Sequence, residues 1–425
     1  MTLSLDSRTI STTPQDTALK VLYLWDADYP WDVRTQKVCA ALTSGGHDVH
    51  IVARNKRRSP IVERLPEGIV HRMKPWRWIP NRADSALSFP AFFNPRWRSL
   101  LDGVTRELAP DLLIVRDLPL CPLAISVGRR RSIPVMLDMA ENYTAMMQEI
   151  WDAGRQRWFD VLVRNPRVVA GVERYCLPRL QHVLTVVEES SERILGEHIA
   201  AERVSVVSNT PPRERASTAV ARRRETDQPL HLVYLGLMEI PRGVGDLLDA
   251  TAHLVSQGRS LRLTLIGSGR DEPIFRSQAE RLGLQETVTF RGYVPNHDAL
   301  ALVAAADVGI VPHHANASWN STIPNKLFDY MAAGLPVVSS DAIPCARVIH
   351  ETKAGEVFRS GDPMDLARVL ERFFDANARQ KCGEAGRSAV QTRYNWEEAT
   401  SVLLRAVAAT AAAGGQRRTT AHRAS

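Results

Sequence analysis

The sequence predicts an α/β protein: two doubly wound, Rossmann-like domains facing a cleft. Three observations lead there. The chain has 425 residues, more than one ordinary core accommodates. Short apolar runs alternate with amphipathic stretches, the strand–helix–strand order of a parallel sheet with right-handed crossovers. That rhythm breaks at TPPRERASTAVARRRETDQP (210–229), rich in proline, arginine and small polar residues, and then restarts.

Residues 1–18 are polar and read as a disordered leader. The first domain is expected over 19–209. KVLYLW (20–25) reads as a buried strand, the loop DADYPWD leads into the amphipathic VRTQKVCAALTSGG, and HDVHIVAR (47–54) is the next strand. SLLDGVTRELAP reads as a helix. DLLIVRD (111–117), IPVMLDMAEN (133–142), HVLTVVEES (182–190) and RVSVVSN (203–209) read as strands with their exit loops. The linker is expected at 210–229 and the second domain over 230–392. There LHLVYLG (230–236), LRLTLIGSG (261–269), TVTFRGYV (287–294) and DVGIVPH (307–313) are strands, separated by the helical patterns GVGDLLDATAHLVSQG, DEPIFRSQAERLGL and HDALALVAAA. In PNKLFDYMAAGLPVVSSD (324–341), Pro324 opens a helix, Gly334 closes it, and Val337-Val338 starts a strand. MDLARVLERFFDA adds a helix. WEEATSVLLRAVAA (396–409) is the last helical pattern, within a segment at 393–411, and 412–425 is a basic tail.

Hydrophobic residues make up 44% and charged residues 24%, the balance of a soluble globular chain. The net charge of +7 favours anionic partners (nucleotides, nucleic acid, a phospholipid surface) without choosing among them. The cysteines (39, 121, 176, 345, 382) are scattered, with no C-x-x-C pair, which argues against a disulfide framework or a zinc site. No metal site is expected. The N-terminus lacks the basic-then-apolar order of a secretory signal, and no apolar run is long enough to span a bilayer. The expected location is cytoplasmic, with a peripheral place on the inner face of the plasma membrane left open. MKPWRWIPNRADSALSFPAFFNPRWRSLL (73–101) interleaves aromatics with arginines. That mix suits a membrane surface, a lipid-linked acceptor or single-stranded nucleic acid, and equally a loop packed on its own domain.

Ligands of such sheets bind beyond the carboxyl ends of the strands, so residues just after strands matter most. In the second domain these are Gly236 and Arg242, the G-x-G of Gly267 and Gly269, Gly292 and Tyr293 as walls of a base pocket, and the helix opening at Pro324 with Asn325, Lys326 and Asp329. A lysine in a first helical turn opposes the helix dipole, by about 0.3–1 kcal/mol. An anion arriving at that end explains it. Helix-end amides, Arg242 and Lys326 suit a diphosphate, and a carboxylate such as Asp329 suits ribose hydroxyls.

YLGLMEIPRGVGDLLDA, LTLIGSG, VTFRGYVP and PNKLFDYMAAGLPVVSSD, in that order over roughly 230–400, resemble the second domain of retaining glycosyltransferases of family four, which have the GT-B fold. The last motif is similar to the family's P-N-K-L-F-E-Y subgroup. The first domain resembles the family more loosely, through VRTQKVCAALTSGGHDVHIVAR, LTVVEESSERI and VSVVSNT, and RYNWEEA (393–399) resembles its final helix, which crosses back to the first domain. The resemblance implies transfer of a sugar from a nucleoside-diphosphate sugar to a hydroxyl of a glycan or lipid-linked acceptor, with retention. The donor is a co-substrate, and no separate cofactor or nucleic-acid partner is implied. The donor set would be Gly236, Gly267, Gly269, Gly292, Tyr293, Ser321, Asn325, Lys326 and Asp329. Arg242 and Lys326 would stabilise the leaving diphosphate, and Glu141 with Asp138 would serve as acid/base or orient the acceptor. Two departures stand out: Ser321 occupies the place of the first of two family glutamates, and Leu237 follows Gly236 where the family often has arginine. His313, His314 and Asn316 are candidates for the missing sugar contact. Asp26 and Asp28 form a D-x-D that reads as chance. A non-catalytic nucleotide-sugar-binding protein and a sugar-nucleotide epimerase of the same fold are the alternatives.

Overall fold

A computed structural model of the chain describes residues 18–76, 91–152, 154, 164–195, 199–218 and 228–423. Its first sheet has eight strands: β1 (Lys20–Asp28), β2 (Asp48–Arg54), β3 (Val62–Leu65), β4 (Gly68–Arg72), β5 (Leu112–Arg116), β6 (Val135–Met139), β7 (His182–Thr185) and β8 (Val204–Val206). They lie in the order β3-β4-β2-β1-β5-β6-β7-β8, parallel except for the β3–β4 pair. The second sheet is all parallel, in the order β11-β10-β9-β12-β13-β14. Its strands are β9 (Leu230–Leu235), β10 (Leu261–Ile266), β11 (Val288–Phe290), β12 (Val308–Val311), β13 (Val337–Ser340) and β14 (Gly355–Phe358). Central strands such as Leu112–Arg116 are buried along their whole length, because helices cover both faces of a parallel sheet. The two-domain α/β architecture anticipated above is what the chain adopts.

The helices that matter below are α1 (Val33–Ser44), α2 (Glu188–Leu195), α3 (Arg213–Thr218), α4 (Val244–Ser256), α5 (Asn325–Ala332), α6 (Ile343–Thr352) and α7 (Trp396–Arg423). The start of α1 is fixed by Asp32, whose carboxylate accepts from the Thr35 amide at 2.7 Å. Helix α7 buries Ala399, Leu403, Ala406 and Val407 among Val38, Leu42 and Val21 of the first domain.

Several local expectations need correction. The hairpin β3–β4 was not anticipated. The basic tail at 412–425 instead prolongs α7 to Arg423, because the alanine-rich run before it propagates helix. The stretch read as linker, 210–229, contains α3. Of the aromatic segment 73–101, residues 77–90, including Trp78 and Phe89, lie outside the described residues. Trp97 and Phe92 are buried in the first core, whereas Trp76 and Phe93 are exposed. Among the described residues, no helix is long and apolar enough to cross a membrane.

The order of each sheet sets where ligands go. Connections leave β1 toward β2 on one side and reach β5 on the other, so a crevice opens at the carboxyl ends of β1 and β5; the same holds for β9 and β12. An apolar cluster joining Ala140, Val187 and Ala216 to Ile323, Leu327 and Phe328 packs the two halves together beside these edges.

Candidate functional site

Gly236 ends β9 with φ 149°, a conformation that side chains rarely adopt. A Cβ there would stand 2.6 Å from Lys326 Nζ. Lys326 lies in the first turn of α5, whose Pro324 cap supplies no side-chain acceptor to the free amides. The residue is 7% exposed. Its ammonium sits 4.0 Å from the Tyr234 ring centroid and 3.3 Å from His313 Nε2, and among the described residues no ion pair to a carboxylate reaches it. Burial, and then the charge of Arg242, push its pKa well below that of an ordinary lysine.

Arg242 ends a short 3-10 turn, Ile240–Arg242, and lies 4.6 Å over the Trp319 ring. Trp319 also packs on His313 at a tilt of 32°, with ring centroids 4.1 Å apart. His313 is 1% exposed, and its Nδ1 has no hydrogen-bond partner. Burial, then Lys326 and Arg242, hold its pKa far below the usual value, so it is neutral. The other polar residues of this loop are committed. His314 Nε2 meets Asp246 at 2.8 Å, a hydrogen bond that raises its pKa, and Asn316 Oδ1 accepts from the Trp319 amide at 2.9 Å.

The neighbouring loops close in around Lys326. The Gly267 amide donates to Gly292 O at 2.8 Å, and any Cβ on Gly267 would run into the Gly236 carbonyl. Gly269 lies against the Met238 backbone. Tyr293 is 80% exposed and Asn325 is exposed, so both are surface residues near this edge. Asp329 is engaged by Arg215 of α3, whose Nη1 donates to it at 2.7 Å. Burial raises its pKa, against the pull of Arg215 and Lys37.

Ser321 turns away from this group and toward the first domain. Its Oγ accepts from Asn142 Nδ2 at 3.0 Å and donates to Ala317 O at 2.7 Å, while its carbonyl accepts from Ser190 Oγ. Ser321, expected among the donor contacts, makes contacts between the domains in this structure.

Across the cleft, the edge at β1, β5 and β6 gathers Asp26, Asp32, Asp117, Asp138 and Glu141 with Arg34, Arg54 and Arg116. Asp138 is fully buried, accepting from Tyr23 Oη at 2.7 Å and Arg34 Nε at 2.9 Å. Burial alone would raise its pKa; Arg34 and Arg116 overcome that and hold it low. Asp138, expected as an acid/base or acceptor-orienting residue, is here a shielded carboxylate that holds Arg34 and Tyr23 in place. Asp117, overlooked in the sequence although it directly follows a strand, has φ 58° and accepts from the Ala140 amide at 3.0 Å. Burial lifts its pKa to about 7 despite Arg116. Glu141 is partly exposed, and its pKa is raised by burial against the opposing fields of Arg116 and of Arg242 from the other domain. Glu141, Arg242 and Lys326 therefore converge on one cleft. Asp28 caps the Lys56 and Arg57 amides at 2.9 and 3.1 Å, and among the described residues no cluster of His, Cys, Asp and Glu has the arrangement of a metal site.

Two family models match the chain: a glycosyl transferase 4-like domain over residues 32–210, and glycosyl transferases group 1 over residues 229–376. A phosphatidyl-myo-inositol mannosyltransferase of Mycobacterium leprae is 32% identical over 187 residues, 44% of this chain and 48% of the relative. A D-inositol 3-phosphate glycosyltransferase of Streptosporangium roseum is 25% identical over 331 residues, 68% of this chain and 74% of the relative. The match to the first three curated relatives spans 48%, 36% and 56% of their lengths. Among solved structures, a sucrose-phosphate synthase from Thermosynechococcus elongatus superposes with TM-score 0.68 at 17% identity, covering 96% of this chain and 100% of that one. Anabaena HepE in complex with UDP superposes with TM-score 0.67 at 14% identity, covering 92% and 100%. These structures share the GT-B fold. The chain belongs to the glycosyltransferases, with a glycosyl transferase 4-like domain followed by a glycosyl transferases group 1 domain.

Proposed function

We propose that this protein transfers a hexosyl unit from a nucleoside-diphosphate sugar to an acceptor hydroxyl, with retention of configuration, as a member of the P-N-K-L-F-E-Y subgroup. The acceptor would be a glycan or lipid-linked precursor of a polysaccharide or glycolipid, and a lipid-linked one would bring the protein to a membrane surface. The supporting observation is Lys326, a buried ammonium without a carboxylate partner among the described residues, at an uncapped helix start. Burying an unpaired charge is costly. A diphosphate offsets that cost and meets Arg242 and the α5 amides as well.

The charge chemistry follows. Cleavage of the sugar–phosphate bond leaves an oxocarbenium-like sugar and a diphosphate with growing negative charge. Fixed cations in a dry cleft stabilise that charge most as it develops. Lys326 and Arg242 would take this role, with the glycine backbones of Gly236 and Gly267 allowing close approach. Asp329, steadied by Arg215, would hold the ribose. Glu141 would orient the acceptor hydroxyl from the opposite wall, and that hydroxyl would attack on the face the leaving group vacates. Anabaena HepE with UDP-glucose, and Staphylococcus aureus TarM with UDP, are neighbours in fold that carry such ligands.

Thermal unfolding with UDP, GDP, ADP and dTDP, on wild type and Lys326→Ala, tests this reading. At about 100 times its dissociation constant a ligand adds about 2.7 kcal/mol. One nucleotide is expected to raise the wild-type midpoint by a few degrees and to leave the variant unmoved. Absence of any shift in the wild type would defeat the proposal.

A further inference from the structure

Of His313, His314 and Asn316 on the loop after β12, two are already committed. His314 is held by Asp246 and Asn316 by the Trp319 amide. His313 alone of the three keeps a polar atom, Nδ1, that is buried and unpartnered. Its position is held from two sides: the ring packs at a tilt on Trp319, and its carbonyl accepts from Ser340 Oγ at 2.5 Å.

We propose that His313 reads the transferred sugar, its Nδ1–H donating to a hydroxyl of the sugar moiety of the donor. This rests on the nucleoside-diphosphate sugar reading of the same cleft. A diphosphate keeps Lys326 charged, and an ammonium has only protons to offer. His313 Nε2, 3.3 Å from Lys326 Nζ, must then accept, which places the imidazole proton on Nδ1. Nδ1 lies on the part of the ring turned away from that ammonium. Phosphate oxygens are drawn to Lys326 and Arg242, whereas a neutral N–H suits a neutral acceptor such as a hydroxyl. The low pKa of His313 keeps it neutral for this task. Ser321, which stands where the resemblance puts a sugar-contacting glutamate, is engaged with Asn142 and Ser190, so it leaves the sugar to another residue.

Titration calorimetry on the full chain separates the contacts. The probes are UDP, GDP, ADP and dTDP beside UDP-glucose, UDP-N-acetylglucosamine, GDP-mannose, ADP-glucose and dTDP-glucose. The proteins are wild type, His313→Phe and His313→Ala. Both variants are expected to hold the bare nucleotide within about twofold of wild type, which also certifies their folding. Both should lose about tenfold in affinity for the matching nucleotide sugar, the effect of one hydrogen bond removed. If either folded variant loses nucleotide and nucleotide sugar equally, His313 serves the diphosphate or Lys326, and the proposal is overturned. Unchanged affinity for both probes overturns it too. If wild type binds none of the nucleotides, the donor reading itself has failed, an outcome distinct from failure of His313 as the sugar contact.

Discussion

At Lys326 the proposed function and the stability of the fold pull in opposite directions. Its ammonium is buried against Tyr234 and His313, with no carboxylate among the described residues to balance it. The folded-state pKa is depressed, so the penalty is complete below that pKa and fades as pH climbs toward the unfolded value near about 10.4. Without nucleotide, Lys326→Met should therefore be more stable than wild type at neutral pH, by about 1–4 kcal/mol, with the gap narrowing under alkaline conditions. A diphosphate reverses the sign, because it favours the charged form. Nucleotide binding should take up a proton in the range where the ligand-free amine is partly neutral. Calorimetry in two buffers of different ionisation enthalpy measures that uptake. A methionine variant that is less stable than wild type, together with wild-type binding free of proton uptake, would make Lys326 a packing residue.

At the scale of elements, the site depends on how closely the loops after β9 and β10 approach each other. Gly267 has φ 127°, and its α-hydrogen faces the Gly236 carbonyl. Gly267→Ala adds backbone strain of about 1–3 kcal/mol to a direct overlap, so a loss of about 3 kcal/mol or more is expected in urea unfolding. Gly292→Ala, at φ 67° with open space around the added methyl, should cost about 1 kcal/mol. Equal losses would show that loop contact is unimportant. The G-x-G was visible in the sequence as a motif just after a strand, but the carbonyl it packs against was not. Lys326 was legible because it conflicted with its own helix end. The partners of Asp138 and Ser321 escaped the sequence for a common reason. Position after a strand says where a residue sits, not which way it turns, and the partner that claims Asp138, Arg34, is 104 residues distant. The β3–β4 hairpin escaped because VERL and GIVHR are short and only partly buried, so neither shows a strong period.

At the scale of the whole molecule, the cleft works only if its walls stay together, since Glu141 belongs to one domain and Lys326 and Arg242 to the other. Beyond the apolar contact, polar ties do this. Arg347 of α6 reaches Glu189 at 2.7 Å and Glu188 at 2.5 Å on α2, and Thr322 Oγ1 donates to Ala140 O at 3.4 Å beside the Ser321–Asn142 bond. Arg347 is 23% exposed, so its two carboxylate bonds are worth more than a surface pair, about 1–2 kcal/mol together. Both cations proposed to bind the diphosphate, Lys326 and Arg242, lie in the second domain. Arg347→Ala should consequently leave nucleotide affinity within about twofold while shifting the domains toward an open arrangement. Small-angle scattering would report a larger radius of gyration, and donor turnover would fall about 5–30-fold, the rate equivalent of that energy. Wild-type scattering with wild-type turnover would mean the apolar contact alone holds the cleft closed. Weakened nucleotide binding would mean instead that the first domain helps hold the donor.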